Sequence, residues 1–357
     1  MAVIEDELAK SWDIRIKRKT NKTGNLKTRP GKVNRVAGAA PEVMVKITGY
    51  GKGAAHVKEH MNYISRNGKV EVEDENGDVY RGREEIGAKF KTWERDLGRS
   101  KDRAGQRDTM HIVLSMPEGT EAKDVKIASR EFAKETFSKN YSYVMALHED
   151  TKQPHVHLTV KTLGHDNKRL HADPEDIQEW RERFAEKMRE RGIDAEATPR
   201  PVRGVVRKPE KNVIRHIEQG DKTHKPRVSK VRASKIKEAV NEIEAESKGL
   251  PLPNRPWEKK IRDTQERVRA AWINAAAKLE NTATEEARNF AERIKAFVEK
   301  MPPIQTERDL LKSQLKQKAI KDREQRPEVQ EQQHSENVGE KKGVEPTTPD
   351  SDNDLER

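Results

Sequence analysis

The chain has 357 residues, of which 32% are hydrophobic and 38% charged, so only part of its length has the apolar content of a packed domain. A formal charge of +11 points to an acidic polymer as partner, most simply nucleic acid. The absence of cysteine excludes thiolate metal sites, a cysteine nucleophile and any disulfide framework. No apolar run approaches a membrane span or the core of a signal peptide, which leads us to expect a soluble protein made in the cytoplasm.

Residues 1–40 read as a basic disordered arm: Arg15 to Arg35 contains nine Lys and Arg with no acid, interleaved with Gly and Pro. Such an arm either lies on phosphates or is a solvated tail. The alternation in Glu42–Thr48 predicts a first strand, followed by a glycine turn over Gly49–Gly53. Ala54–Arg66 then carries Val57, Met61 and Ile64 at helical spacing and stops at Asn67-Gly68. Asn76-Gly77, between Val70-Glu71-Val72 and Val79-Tyr80, signals a hairpin.

Glu84–Leu97 predicts a helix with Ile86, Phe90, Trp93 and Leu97 on one face, and a polar loop over Gly98–Asp108 leads to a strand at Thr109–Met116. In that strand Met110, Ile112, Leu114 and Met116 share one face, and Thr109, His111, Val113 and Ser115 the other. Glu121–Lys139 is an amphipathic helix. It leads to a strand-like run at Tyr143–Leu147 closed by His148, a tight connection at Thr151–Pro154, and a second run from His155 to Lys161. Pro174–Arg191 is a further helix, with Ile177, Trp180, Phe184 and Met188 inward and Gly192 as its stop.

The chemistry concentrates in His148-Glu149-Asp150-Thr151-Lys152-Gln153-Pro154-His155-Val156-His157. Strand alternation aims His155 and His157 at one face, and an antiparallel pair joined at Pro154 brings His148 beside them. Three imidazoles so gathered make a metal site with positions open for substrate oxygens, and nitrogen ligands of this kind tolerate Mn, Co, Ni, Cu or Zn. Asp150 is placed to accept the other N–H of His148 and fix its tautomer. The plain alternative is a histidine-rich hairpin with no ligand. Lys161, Arg169 and His171 are candidate phosphate contacts, or a solvated rim.

The pattern His-x-Asp-x-x-x-Pro-His-x-His, formed by His148, Asp150, Pro154, His155 and His157, resembles the third motif of the conjugative relaxases of the VirD2/MobP type, among the His-hydrophobic-His (HUH) endonucleases. Met61–Lys69 resembles their first motif, which supplies a nucleophilic tyrosine on a helix before a basic, glycine-ended turn. This maps the nucleophile onto Tyr63, with Tyr50 as runner-up, and makes Arg66 of that turn a DNA contact. His111–Pro117 is similar to the second motif, whose serine holds DNA near the cut, here Ser115. The three motifs occur in the family's order, and the resemblance implies a relaxase domain over residues 41–195.

The resemblance implies an α+β fold with a central antiparallel sheet flanked by helices, which we expect to lie on one face with the metal site exposed on the other. It implies nicking of one strand at a plasmid origin of transfer: Tyr63 attacks a phosphodiester, leaving a 5′-phosphotyrosyl link and a 3′-hydroxyl that the same site can later rejoin without ATP. Mg or Mn is the implied working ion, and either a metal-bound phosphate or hydroxide or the Asp150–histidine pair is a candidate to assist loss of the Tyr63 proton. The implied partners are single-stranded or supercoiled plasmid DNA, accessory transfer proteins and a type IV secretion coupling protein, with export alongside the DNA.

A rolling-circle replication initiator shares the histidine pair, but there the tyrosine usually follows the histidines, and no tyrosine occurs after Tyr143. A non-catalytic DNA-binding protein with a structural metal predicts binding without a covalent adduct. A water-using metal hydrolase leaves the Tyr63 motif unexplained. Beyond the motifs, residues 196–235 read as a basic linker and residues 236–325 as a charged helical region. There Trp257, Ile261, Val268 and Trp272 form a stripe and Thr282-Ala283-Thr284-Glu285 a capping box. Residues 326–357 read as an acidic disordered tail.

Overall fold

The computed structural model describes residues 8, 31–97, 106–207, 210–220, 223–282 and 284–324. Most of the expected basic arm, the greater part of the 98–108 loop and the acidic tail lie outside the described residues. The described residues fall into two compact units, drawn from 1–206 with 260–304 and from 207–259 with 305–357.

The first unit is built on a six-stranded antiparallel sheet. Its strands are β1 (Met44–Gly51), β2 (Val72–Asp74), β3 (Val79–Tyr80), β4 (Thr109–Ser115), β5 (Tyr143–His148) and β6 (His155–Lys161), in the order β1-β4-β6-β5-β2-β3. The β2–β3 hairpin turns at Asn76-Gly77, where Gly77 has φ 89°, a left-handed value that glycine adopts at little cost.

Strand alternation gives the sheet two distinct faces. On one, Met110, Ile112 and Leu114 of β4, Val156, Leu158 and Val160 of β6, and Met145 of β5 form a core with helices α4 (Ala122–Phe137) and α5 (Pro174–Glu190). The inward stripes are those expected: Phe132, Phe184 and Met188 are wholly buried. Burial of a side chain such as Phe132 contributes about 1.5–3 kcal/mol before entropy is counted.

The expectation that helices would cover only one face is corrected by the other face. There Val72, Val144 and Ala146 form a second core with Val57, Met61 and Ile64 of helix α2 (Gly53–Ile64) and Ile86, Phe90 and Trp93 of helix α3 (Gly82–Glu94). The physical reason lies in β5, where Val144 and Ala146 precede His148 on the histidine face. They need an apolar cover, and the stripe of α2 supplies it. The histidine site is thus roofed at one side by α2.

The first unit also contains helix α1 (Lys32–Ala37), within what was expected to be the basic arm. Its Val33, Val36 and Ala37 are buried with Val202 of a 3-10 turn (Arg200–Arg203) and with Val268, Trp272, Phe290 and Ile294 of helices α8 (Pro256–Glu280) and α9 (Glu285–Glu299). Residues 196–203, expected to begin a linker, instead pack back on the domain: Val43 N–H donates to the Glu196 carbonyl at 2.8 Å and Glu196 N–H to the Pro41 carbonyl at 2.9 Å. The stripe of α8 divides, with Val268 and Trp272 buried but Trp257 and Ile261 exposed. Thr284, not Thr282, caps α9, its hydroxyl accepting from Ala287 N–H at 3.4 Å.

In the second unit, helix α6 (Asn212–Gln219) precedes α7 (Lys230–Ser247), and α7 lies alongside α10 (Glu307–Glu324). Glu238, Glu242 and Glu246 face Arg308, Lys312 and Lys316, with numbers rising together, so the two helices run in the same direction. Each exposed pair in such a ladder contributes only about 0.2–1 kcal/mol.

Candidate active site

The strand order places β6 between β4 and β5, and the register fixes which side chains meet. His155 pairs with His148 on one side and Ser115 on the other, while His157 lies between Ala146 and Val113. Residues paired in this way share a face. The hairpin therefore gathers His148, His155 and His157: one ring nitrogen from each lies within 4.8 Å of the others.

Tyr63 arrives from the opposite direction, next to last in α2. Its ring stands edge-on to His157, with centroids 5.5 Å apart, and 6.3 Å from His148. It is 52% exposed, so the phenol is open to a ligand while the histidines below it are largely covered. Immediately afterwards the chain turns through three left-handed residues, Arg66 (φ 50°), Asn67 (φ 57°) and Gly68 (φ 88°). This turn throws the Arg66 guanidinium back over the site, 5.0 Å from the Tyr63 ring centroid.

The ring nitrogens of the triad are assigned by their partners. His148 Nε2–H donates to the Ile64 carbonyl at 2.7 Å, and His155 Nδ1–H to the Gln153 carbonyl at 3.0 Å. A carbonyl only accepts, so these nitrogens carry the protons, leaving His148 Nδ1 and His155 Nε2 unprotonated, each with one in-plane lone pair. His157 Nε2 is buried and has no hydrogen-bond partner among the described residues. Two histidines with carbonyl-fixed tautomers and a third with an orphaned nitrogen fit a divalent ion, which needs neutral, oriented imidazoles. Burial, and then the neighbouring His148 and His155, push His157 down to about 3; burial also lowers His148. Both rings are therefore neutral near pH 7.

The expectation that Asp150 would accept the His148 N–H is corrected. That proton goes to Ile64, because carbonyls in the last turn of α2 have no intrahelical partner and one of them faces the ring. Asp150 instead receives Arg66 Nη2 at 2.5 Å, and the same Nη2 lies 3.1 Å from His148 Nδ1. The slight burial of Asp150 raises its pKa, but the Arg66 hydrogen bond and charge outweigh this and hold it below the usual carboxylate range. That weakens it as a proton acceptor.

Of the remaining candidates, Ser115 is brought to the site, paired with His155, its hydroxyl donating to the Met116 carbonyl at 3.3 Å. Lys161 and Arg169 are not. Lys161 is four residues beyond His157, about 13 Å along the strand, and is bound to Asp96 at 2.7 Å. Arg169 Nη1 donates to Thr162 Oγ1 at 3.0 Å and to the Arg107 carbonyl at 3.1 Å. His171 faces Asp173 at 3.3 Å.

Sequence reasoning missed His60 and left His111 without a role. The two rings stack at 3.4 Å and 3° beside Tyr63 and His157, with His60 6.1 Å from the Tyr63 ring. His60 lies one helical turn before Tyr63, a spacing that signals a shared face.

With this geometry the comparisons with known proteins agree. Residues 63–193 match the relaxase family described as MobA/VirD2-like, nuclease domain. The T-DNA border endonuclease VirD2 of Rhizobium radiobacter is 29% identical over 187 residues, covering 47% of this chain and 44% of that protein. Those of Rhizobium rhizogenes and Agrobacterium fabrum are 28% and 27% identical over the same length, with 43% and 42% of each covered. The matched region thus spans under half the length of these curated relatives. Residues 63–193, which open on the exposed tyrosine and contain the histidine triad, thus resemble the nuclease domain of the MobA/VirD2-like relaxases.

Proposed function

We propose that this chain is a relaxase that nicks one DNA strand at an origin of transfer and later rejoins it, with Tyr63 as nucleophile and His148, His155 and His157 as ligands of a divalent ion. The observation that carries this reading is a half-exposed tyrosine ring edge-on to a metal-competent triad, 5.5 Å from His157. The relatives' names supply the reaction class, endonuclease action at a defined border.

In this reading a divalent ion held by His148, His155 and His157 would supply positive charge to the scissile phosphate and polarise phosphorus. Mg or Mn suits that task. The chain does the rest. The Tyr63 oxygen loses its proton and attacks phosphorus, the bond from phosphorus to the 3′ oxygen breaks, and that oxygen takes up a proton. The products are a 5′-phosphotyrosyl link and a free 3′-hydroxyl; one ester replaces another, so the reverse reaction needs no ATP. His60, stacked on His111, lies beside the Tyr63 ring and supports it over the triad. Ser115, paired with His155, lies where the strand approaches the cut, and accessory and coupling proteins would bind elsewhere on the chain.

The test incubates the full chain with Mn²⁺ and labelled single-stranded transfer-origin oligonucleotides and reads denaturing gels. A protein–DNA adduct that disappears in both Tyr63→Phe and His157→Ala is the expected result. An adduct surviving Tyr63→Phe would move the nucleophile to Tyr50, and cleavage without any adduct would replace the reading by water-driven hydrolysis.

A further inference from the structure

One contact at the site takes no part in the phosphodiester attack: Arg66 on His148. The residue adopts φ 50°, a backbone conformation that costs a side-chain-bearing residue about 1–2 kcal/mol. The turn therefore holds Arg66 against a local preference, and what it gains is a guanidinium bridging His148 Nδ1 at 3.1 Å and Asp150 Oδ2 at 2.5 Å.

Nδ1 is the one nitrogen of His148 left for an ion, since Nε2–H is given to the Ile64 carbonyl. A neutral imidazole nitrogen has a single in-plane lone pair, so it cannot accept an N–H and ligate a metal at once. Ligand nitrogens around one small cation also stand only about 3.0–3.5 Å apart, whereas here they spread up to 4.8 Å. Arg66 thus occupies a ligand position and adds a positive charge where a dication would sit.

Resting on the relaxase reading for the identity of the metal site, we propose that Arg66 is a resident cation that the divalent ion must displace. Its guanidinium guards the His148 lone pair in the ion-free chain. Ion entry releases it from His148 while Asp150 retains it beside Tyr63, where the negative strand arrives. The device sets ion affinity low and couples ion loading to the release of a cationic side chain toward a phosphate. Arg66 acts in it as a positioning residue.

The test is calorimetric titration of the DNA-free full chain with MnCl₂, comparing the unaltered chain with Arg66→Gly, Arg66→Gln and, as a site blank, His155→Ala. Arg66→Gly keeps the left-handed turn at no steric cost, and Arg66→Gln keeps a side chain there without charge. Loss of the competing donor and of a like charge predicts Mn²⁺ binding at least about tenfold tighter in both Arg66 variants. Binding that depends on His155 but is unchanged or weaker in both would overturn the inference and leave the relaxase reading intact. Absence of any His155-dependent Mn²⁺ binding would overturn the metal site itself, and the displacement with it.

Discussion

Replacement of Gly68 by alanine tests how the turn after α2 holds the site together. At φ 88° any Cβ carries a conformational cost of about 1–2 kcal/mol. At Gly68 the added carbon would also lie 2.6 Å from Arg83 N and 2.8 Å from the Gly82 carbonyl carbon, both backbone atoms that cannot swing aside. Overpacking of this kind adds about 1–3 kcal/mol. Gly77, at φ 89° with nothing within 4 Å of its Cβ position, is the matched control, carrying the first cost alone. We expect Gly68→Ala to lose about 2–5 kcal/mol in urea unfolding of the full chain and Gly77→Ala about 1–2 kcal/mol. Because the displaced turn carries Arg66, Gly68→Ala also alters Mn²⁺ affinity and Gly77→Ala does not. Equal destabilisation by the two substitutions would refute the close-contact argument, and unaltered Mn²⁺ affinity in Gly68→Ala would refute the link from turn to site.

Other outcomes follow from the same geometry. Burial pushes His60 to about 3 and His111 to about 4, so both are neutral in the fold, whereas the unfolded chain protonates them below about 6.5. Their contribution is complete above about pH 6.5 and lost as pH falls; in chelator, His111→Gln should flatten the acid limb of a stability–pH curve by about 1.4 kcal/mol per unit between those values. Trp272→Phe orphans the Val202 carbonyl that its indole N–H reaches at 3.0 Å, and calorimetry should register a loss of about 1–3 kcal/mol. Lys161→Ala, removing a charge already matched by Asp96, should change single-stranded DNA affinity less than Arg66→Gln does in a filter-binding assay.

The elements that carry a clear period were legible in the sequence. Alternation along His155–Lys161 places two histidines on one face, and the structure brings His148 to them through a register in which it pairs with His155. The stripes of α2 to α5 were equally readable, because each repeats at 3–4 residues. What was not legible depends on contacts between elements distant in sequence. Nothing local shows that the cover for Val144 and Ala146 is α2, and so that an α2 carbonyl, not Asp150, takes the His148 proton. Arg66 reaches Asp150 across 84 positions through two non-glycine left-handed residues, which propensity disfavours. Lys161 and Arg169 were proposed from charge near the histidines in sequence, but an extended strand carries four residues about 13 Å away.

The central claim, that Tyr63 is the nucleophile over the histidine triad, is tested most directly by locating the covalent bond. The adduct formed by the full chain with Mn²⁺ and cognate single-stranded DNA is digested with nuclease and protease, and the nucleotide-bearing peptide sequenced by tandem mass spectrometry. The account predicts a 5′-phosphate ester on Tyr63 and on no other residue. A nucleotide on Tyr50, or on a serine such as Ser115, would contradict it.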